Sequence, residues 1–159
     1  MRWDRFASAC PDIAGLAETR LRKDELVMLG TIRADGSPRI SPCEVDLAER
    51  HLLFGMMWRS KKALDLLRDP RCVVHSVTID RMGTDGDLKL YGRMDDVHDP
   101  DLRRAYRAAI KARIDWEPDE PTFHLFSLDV ASAGFTIFGD EHFALAWDPE
   151  RGLRRLSLS

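Results

Sequence analysis

The run Leu26-Val27-Met28-Leu29-Gly30-Thr31-Ile32, followed at once by Ala34-Asp35-Gly36-Ser37, constrains this chain more than any other stretch. A short, mostly apolar run of this kind reads as a buried strand, and Asp-Gly supplies the positive-φ residue a tight hairpin needs. Strands are therefore expected on both sides of Asp35-Gly36. The return strand, residues 38–47, carries Pro38 and Pro42. Proline cannot donate to a ladder, so this strand belongs at an edge or beside a bulge, with an irregular, exposed stretch.

The remaining chain follows the same pattern of short strands and few helices. Residues 11–22 read as a helix, with Pro11 and Asp12 in its first turn and Ile13, Leu16, Ala17 and Leu21 near helical spacing. A third strand, 51–58, leads into Ser60-Lys61-Lys62-Ala63-Leu64-Asp65-Leu66-Leu67-Arg68-Asp69-Pro70. Ser60 reads there as the N-cap of a short helix that Asp69-Pro70 ends. A fourth strand is expected over 71–79, and Gly83-Thr84-Asp85-Gly86 turns into a fifth, where Leu88, Leu90, Gly92 and Met94 alternate with Lys89, Tyr91 and Arg93. Asp99-Pro100 opens a helix over 99–113, and strand-like runs occupy 122–130, 134–138 and 142–147. The fold class that accommodates this order is mainly β (α+β): a closed or partly closed antiparallel β-barrel with a few short flanking helices.

A length of 159 residues fits one domain spanning 1–159, with 32% charged and 44% hydrophobic residues, an ordinary globular balance. A net charge of −3 argues against general nucleic-acid affinity, so any anion site must be local. Cys10, Cys43 and Cys72 are widely spaced and odd in number, which suggests neither disulfides nor zinc and points to reduced thiols in a cytoplasmic protein. No apolar run approaches the roughly 20 residues of a membrane helix, and the N-terminus lacks a signal-peptide core.

Lys61 and Lys62 fall in the first turn of the expected short helix, where unpaired N–H groups already carry partial positive charge. Each exposed cation there costs roughly 0.3–1 kcal/mol, and a bound anion reverses that sign. A phosphate would gather the backbone donors, the Ser60 hydroxyl and two ammonium groups; the alternative is a solvated lysine pair on a surface turn. The histidines at 51, 75, 98, 124 and 142 are scattered, no Gly-x-Ser-x-Gly elbow occurs, and Asp95, Asp96, His98 and Asp99 lack the spacing of a calcium loop. No catalytic or metal-ligating set emerges. The basic residues of the 99–113 helix lie among Asp95, Asp96, Asp101, Asp115 and Glu117, which reads as an ion-paired surface and not as a nucleic-acid interface. Trp116 and Trp147 read as core or interface anchors, though each could cap a flat ring.

Taken in order, Gly36-Ser37-Pro38-Arg39-Ile40-Ser41-Pro42, Ser60-Lys61-Lys62-Ala63-Leu64, Arg68-Asp69-Pro70-Arg71 and Tyr91-Gly92-Arg93 resemble the pyridoxamine 5'-phosphate oxidase-like split-barrel flavin-binding family. The resemblance covers residues 25–95 well and the C-terminal third loosely. It implies a homodimer holding FMN, or in one branch the deazaflavin coenzyme F-420, in a cleft between subunits. It further implies that Ser60, Lys61 and Lys62 match the family's Ser-Arg-Lys phosphate run, with Lys61 in place of an arginine and its bidentate fork lost. Ser41, Pro42, Cys43 and Glu44, with Met56 and Met57, become the ring contacts. Where true oxidases have an arginine and a lysine, this chain has Ser41 and Asp46, so pyridoxamine phosphate oxidation is not the expected activity. The implied function is an FMN-dependent oxidoreductase moving a hydride to or from a small molecule. The alternatives are an F-420-dependent reductase and a non-catalytic flavin-binding protein. Phe126, Phe135, Phe138 and Trp147 are candidates for the core or the dimer interface.

Overall fold

The computed structural model describes residues 1–140 and 142–157. Two helices, α1 (Trp3–Ala9) and α2 (Pro11–Asp24), precede β1 (Leu26–Ile32), β2 (Pro38–Glu44), β3 (Asp46–Ala48) and β4 (His51–Met57). Then come α3 (Lys61–Arg68), β5 (Arg71–Ser76), β6 (Asp87–Asp96), α4 (Pro100–Ile114), β7 (Phe123–Ile137), β8 (Phe143–Asp148) and β9 (Gly152–Leu156). These strands form one antiparallel sheet in the order β2-β1-β5-β6-β7-β4-β3, with β8 and β9 continuing from β7. The sheet curls until β2 packs against β4 without joining its ladder, which is the split of a split barrel.

The expected β1–β2 hairpin forms, and β2 is an edge strand, the position its prolines tolerate. Pro42 faces Met28, and the chain leaves β2 at Glu44 to restart as the short β3, where the sequence suggested one strand over 38–47. Residues 122–130 and 134–138 are likewise one strand, β7, not two. A register shift opposite Tyr91 and Gly92 places an extra residue there and preserves pairing on both sides.

The barrel interior is filled by Val27, Leu29, Leu52, Phe54, Leu88, Leu90, Leu128 and Val130, all essentially inaccessible. Helices α1 and α2 close one end. Phe6 of α1 meets the Trp3 and Trp147 rings edge-on, at 5.3 and 5.1 Å between centroids. Phe126, Phe135 and Trp147 therefore belong to the core, and of the four aromatic candidates only Phe138 is exposed. A second apolar cluster, Leu53, Val97, Tyr106, Ile110, Phe123 and Leu125, seats α4 on β4 and β7. The basic side of α4 is ion-paired as the charge pattern implied: Arg103 with Glu120, Arg104 with Asp101, and Arg107 and Lys111 with Glu117. No helix among the described residues is long and apolar enough to cross a membrane. The cysteines are free, with Cys10 and Cys43 buried and Cys72 partly so.

Helix α3 is short and would not persist alone, since isolated helices under about 12 residues are marginal in water. Ala63 and Leu66 bury its inner face, and Asp65, itself buried, bonds across to the hairpin. Its carboxylate accepts from Thr31 Oγ1 of β1 at 3.0 Å and from Arg39 Nε of β2 at 2.6 Å. Burial pushes the Asp65 carboxyl upward, but the hydrogen bonds from Arg39 and Thr31 more than offset it and leave the group below its ordinary range. A carboxyl depressed in the folded state contributes stability above its unfolded pKa and loses it as pH falls through the folded value. The expected outcome is that Asp65→Ala lowers stability by about 1–3 kcal/mol in urea melts near neutral pH, since Arg39 and Thr31 lose their buried acceptor. The difference from wild type should shrink as pH falls below the carboxylate range; a pH-independent difference would contradict this role.

Candidate functional site

A cleft of about 460 Å³ opens where the two edges of the split barrel meet α4. Pro42, Cys43 and Glu44 of β2 form one wall, and Gly55, Met56 and Met57 of β4 form the other, with Trp58 just beyond. Lys62 enters from the first turn of α3, Tyr106 from α4, Trp116 and Asp119 from the segment joining α4 to β7, and Phe123 from the start of β7. Six of the sequence-predicted contacts, Pro42, Cys43, Glu44, Met56, Met57 and Lys62, are thus brought together. Ser41 is half-buried on β2 and is not part of the cleft lining. Lys61 lies on a neighbouring basic depression with Arg33, Arg39 and Arg68.

The turn from β4 into α3 is fixed from outside the helix. Arg59 takes a left-handed conformation, φ 54°, and its N–H donates to His124 Nε2 of β7 at 3.2 Å. The Trp58 ring stacks on the same imidazole, 4.6 Å between centroids and 8° from parallel. Burial lowers the His124 pKa, favouring the neutral ring whose Nε2 is free to accept. Ser60 occupies the N-cap position of α3 as expected, but its hydroxyl does not cap the helix. Its Oγ is buried and has no hydrogen-bond partner. An unmet hydroxyl beside the open N–H groups of a helix start is the arrangement an anion would complete.

Lys62 reaches back across the cleft, its Nζ donating to the Pro42 carbonyl at 2.5 Å. Proline offers no N–H here, so its carbonyl supplies this tie between β2 and α3, beside the Arg39–Asp65 bond. The Cys43 thiol is pushed up to about 11 by burial, with Lys62 opposing the shift, so it stays protonated and is not a nucleophile at neutral pH. Asp46 points away from the cleft toward Arg113, whose guanidinium lies 3.2 Å from it and 3.7 Å from Glu44.

Several cleft residues were not among the expected contacts, Gly55, Trp58, Tyr106, Asp119 and Phe123 among them. The Tyr106 ring is buried, while its hydroxyl, without a hydrogen bond among the described residues, is itself accessible from the cleft. Burial first, and then the Asp46 and Glu44 carboxylates, push its pKa up, so it remains a phenol. It lies so close to β4 that a Cβ on Gly55 would sit 1.9 Å from the phenol oxygen. An isolated glycine within an apolar strand signals such an approach, and Gly55 was that signal. Trp116 is not a core residue: it stands 58% exposed on the cleft rim, where the capping of a flat ring that its sequence allowed remains open to it. Elsewhere, His51 Nδ1 meets Ser127 Oγ at 2.7 Å and His98 pairs with Asp96 on the surface. No metal-binding group occurs among the described residues.

Residues 15–136, well over half of the chain, match the family model described as pyridoxamine 5'-phosphate oxidase. No curated protein matches the sequence. Among solved structures, a pyridoxamine 5'-phosphate oxidase-related, FMN binding protein from Nostoc punctiforme superposes with a TM-score of 0.68 at 17% identity, covering 94% of this chain and 95% of its own. A heme binding protein from Mycobacterium smegmatis gives 0.67 at 19% identity over 88% of this chain, which spans only 59% of that protein's length. PhzG from Burkholderia lata, in complex with tetrahydrophenazine-1-carboxylic acid, gives 0.62 at 13% identity over 92% of this chain and 88% of its own. At these identities the likeness is one of fold, while the matched family model places the sequence itself: the chain belongs to the pyridoxamine 5'-phosphate oxidase family, with a split-barrel fold.

Proposed function

We propose that the protein binds FMN in the cleft between β2 and β4, its phosphate at the start of α3, and acts as an oxidoreductase on a small molecule other than pyridoxamine phosphate. The observation that carries this reading is the buried, unpartnered Ser60 hydroxyl beside the open end of α3, with Lys62 at the edge of an aromatic cleft. These groups fit a phosphate followed by a flat ring. Ser60 and the first N–H groups of α3 would hold the phosphate, with Lys61 and Lys62 supplying charge. When bound, the flavin ring supplies hydride transfer, so the absence of an acid–base pair in the cleft is no obstacle. The chain's own task is to bind, orient and exclude water: Met56, Phe123 and Trp58 offer apolar surface to a ring, and the Pro42–Lys62 contact holds the two walls together.

F-420 is the alternative cofactor under the same geometry. A non-catalytic flavin-binding protein is the alternative from another class, and a neighbour named for heme binding supports keeping it in view. The three free thiols suit a reducing, cytoplasmic setting. The assembly we propose is a homodimer. A mostly apolar groove of about 400 Å³ runs over the outer face of β1, β2, β5 and β6, exposing Ile40 at 70% and Tyr91 at 47% beside Met28. Such a patch is normally covered by a partner.

Replacing Lys61 and Lys62 together with Gln should weaken FMN binding at least tenfold, because each charge-assisted contact to a phosphate is worth about 1.5–3 kcal/mol in a partly dry site. The remaining affinity should depend less on salt. Lys61 makes no bond among the described residues and opposes the helix dipole, so Lys61→Gln alone should leave the apo melting temperature equal or slightly raised, whereas Lys62→Gln loses the Pro42 tie. Unaltered FMN affinity in the double variant, read by flavin fluorescence, would remove the phosphate assignment. Light scattering should give twice the chain mass, and Ile40→Glu should shift the protein toward monomer. A monomeric wild type with FMN added would contradict the dimer.

A further inference from the structure

The residue just before the Ser60 cap is the strained point of the site. Met57, Trp58, Arg59 and Ser60 make a tight turn, closed by the Ser60 N–H donating to the Met57 carbonyl at 3.1 Å. Its third residue, Arg59, has φ 54°, at a place that glycine or asparagine normally fills. A longer side chain persists in that conformation only where its surroundings impose it. Here the Arg59 peptide is held by its N–H bond to His124 Nε2, at 3.2 Å. Strand β7 sets that acceptor in place, because its pairing with β4 puts His124 opposite Met56, one residue before the ladder ends. The Trp58 ring lies 4.6 Å from the imidazole and the Phe126 ring 6.2 Å from it, so the acceptor is itself packed in position.

An imidazole accepts at Nε2 only while that nitrogen is unprotonated, so neutral His124 carries its hydrogen on Nδ1. A second proton puts an N–H at Nε2, aimed at the Arg59 N–H, and the acceptor becomes a donor facing a donor. The stack survives that change, since an indole face also holds an imidazolium, by a cation–π contact. The bond to Arg59 does not. The charged groups facing the ring are Asp96 of β6 and Arg103 of α4, one of each sign, while β4 brings only Met56 to it and the turn brings Trp58. Asp96 pairs with His98 and Arg103 with Glu120. Burial lowers the imidazole pKa, Asp96 opposes this and Arg103 adds to it, so the proton arrives below the ordinary imidazole value of about 6.5.

Resting on the reading of the α3 start as the phosphate site, we infer that His124 is a positioning residue that makes cofactor binding proton-linked. Its neutral ring holds the Arg59 turn, and with it the Ser60 hydroxyl and the first N–H groups of α3, in place for a phosphate. Its protonated ring lets the turn relax. Proton and phosphate thus oppose each other through one peptide group: FMN affinity is full above about pH 7 and falls as pH drops through the imidazole range. By reciprocity, bound FMN lowers the His124 pKa.

FMN affinity is measured by flavin fluorescence at constant ionic strength, from about pH 7.5 to about pH 5, in wild type and in His124→Gln, whose amide oxygen accepts from Arg59 without titrating. The FMN phosphate has its own ionisation near about pH 6, which acts equally on both proteins, so the ratio of their affinities isolates the imidazole. The two should agree within about threefold at the upper pH, and wild type should lose a further three- to tenfold, roughly, against the variant at the lower. His124→Phe keeps a ring for Trp58 and offers no acceptor, so it should bind FMN about tenfold more weakly at neutral pH. Adding Arg59→Gly, which removes the strain, should recover most of that loss. Thermal melts verify folding of each variant. A ratio that stays flat with pH, or a His124→Phe protein that binds FMN as tightly as wild type, would overturn the inference and leave FMN binding intact. NMR titration without cofactor reads the turn directly: the Arg59 amide should shift with the His124 ring at one pKa, and FMN should lower that pKa. An amide indifferent to the ring would also overturn the inference, whereas an amide that follows it in a protein binding no FMN at any pH would support the proton-linked turn and defeat the cofactor reading alone.

Discussion

The buried Asp65 carboxylate is the contact on which the site depends. Helix α3 supplies the turn proposed to hold a phosphate, yet eight residues cannot hold a helix in water without tertiary support. Asp65 provides it by accepting from Thr31 and Arg39, side chains on the two strands of the first hairpin. The hairpin and the helix are thereby one unit, and β2, an edge strand with two prolines, has a fixed position relative to the lysines. Lys62 adds a second tie through the Pro42 carbonyl. Removing either proline's N–H from the ladder costs little at an edge, and what it leaves is a carbonyl available to the cleft.

The charges around that turn work against the stability of the free helix. Two lysines at a helix start oppose the macrodipole, and the Ser60 hydroxyl forgoes its capping bond, for a combined penalty of about 1–3 kcal/mol. A protein folds through such a penalty when other contacts outweigh it, and α3 is seated by Ala63, Leu66 and Asp65. The β4–α3 turn is held separately, by the His124 acceptor and the Trp58 stack, so the left-handed Arg59 backbone does not rely on the helix. A turn that is pre-formed would lose less entropy on binding a ligand.

Much of this was legible in the chain itself, for identifiable reasons. β1 and α3 could be read almost to the residue because each carries its own punctuation, Asp-Gly after one and Ser at the start with Asp-Pro at the end of the other. Helix α1 went unread: it is seven residues long with no side-chain cap, and its only cue is the spacing of Trp3, Phe6 and Cys10. β9 was missed because an arginine-rich edge strand has no buried face to create alternation. β7 seemed interrupted at Ala131-Ser132-Ala133, residues of low strand propensity, where Ala131 bulges and pairing of Ser132 and Ala133 with β6 nonetheless continues the strand. At the site, the β2 and β4 contacts were visible as a resemblance, whereas Tyr106 and Trp116 arrive from α4 and the loop after it, more than forty positions beyond the lysines. No local pattern records that kind of convergence.

The central claim is that one end of the cleft reads a phosphate while the aromatic walls read a flat ring. Parallel fluorescence titrations of the purified protein with FMN and with riboflavin test it most directly, because the two ligands differ only by the phosphate. FMN should bind at micromolar or tighter affinity and at least about a hundredfold more tightly than riboflavin, the ratio expected of two or more charge-assisted contacts. Equal affinities would place the anion elsewhere, and no binding of FMN at all would contradict the account of the cleft.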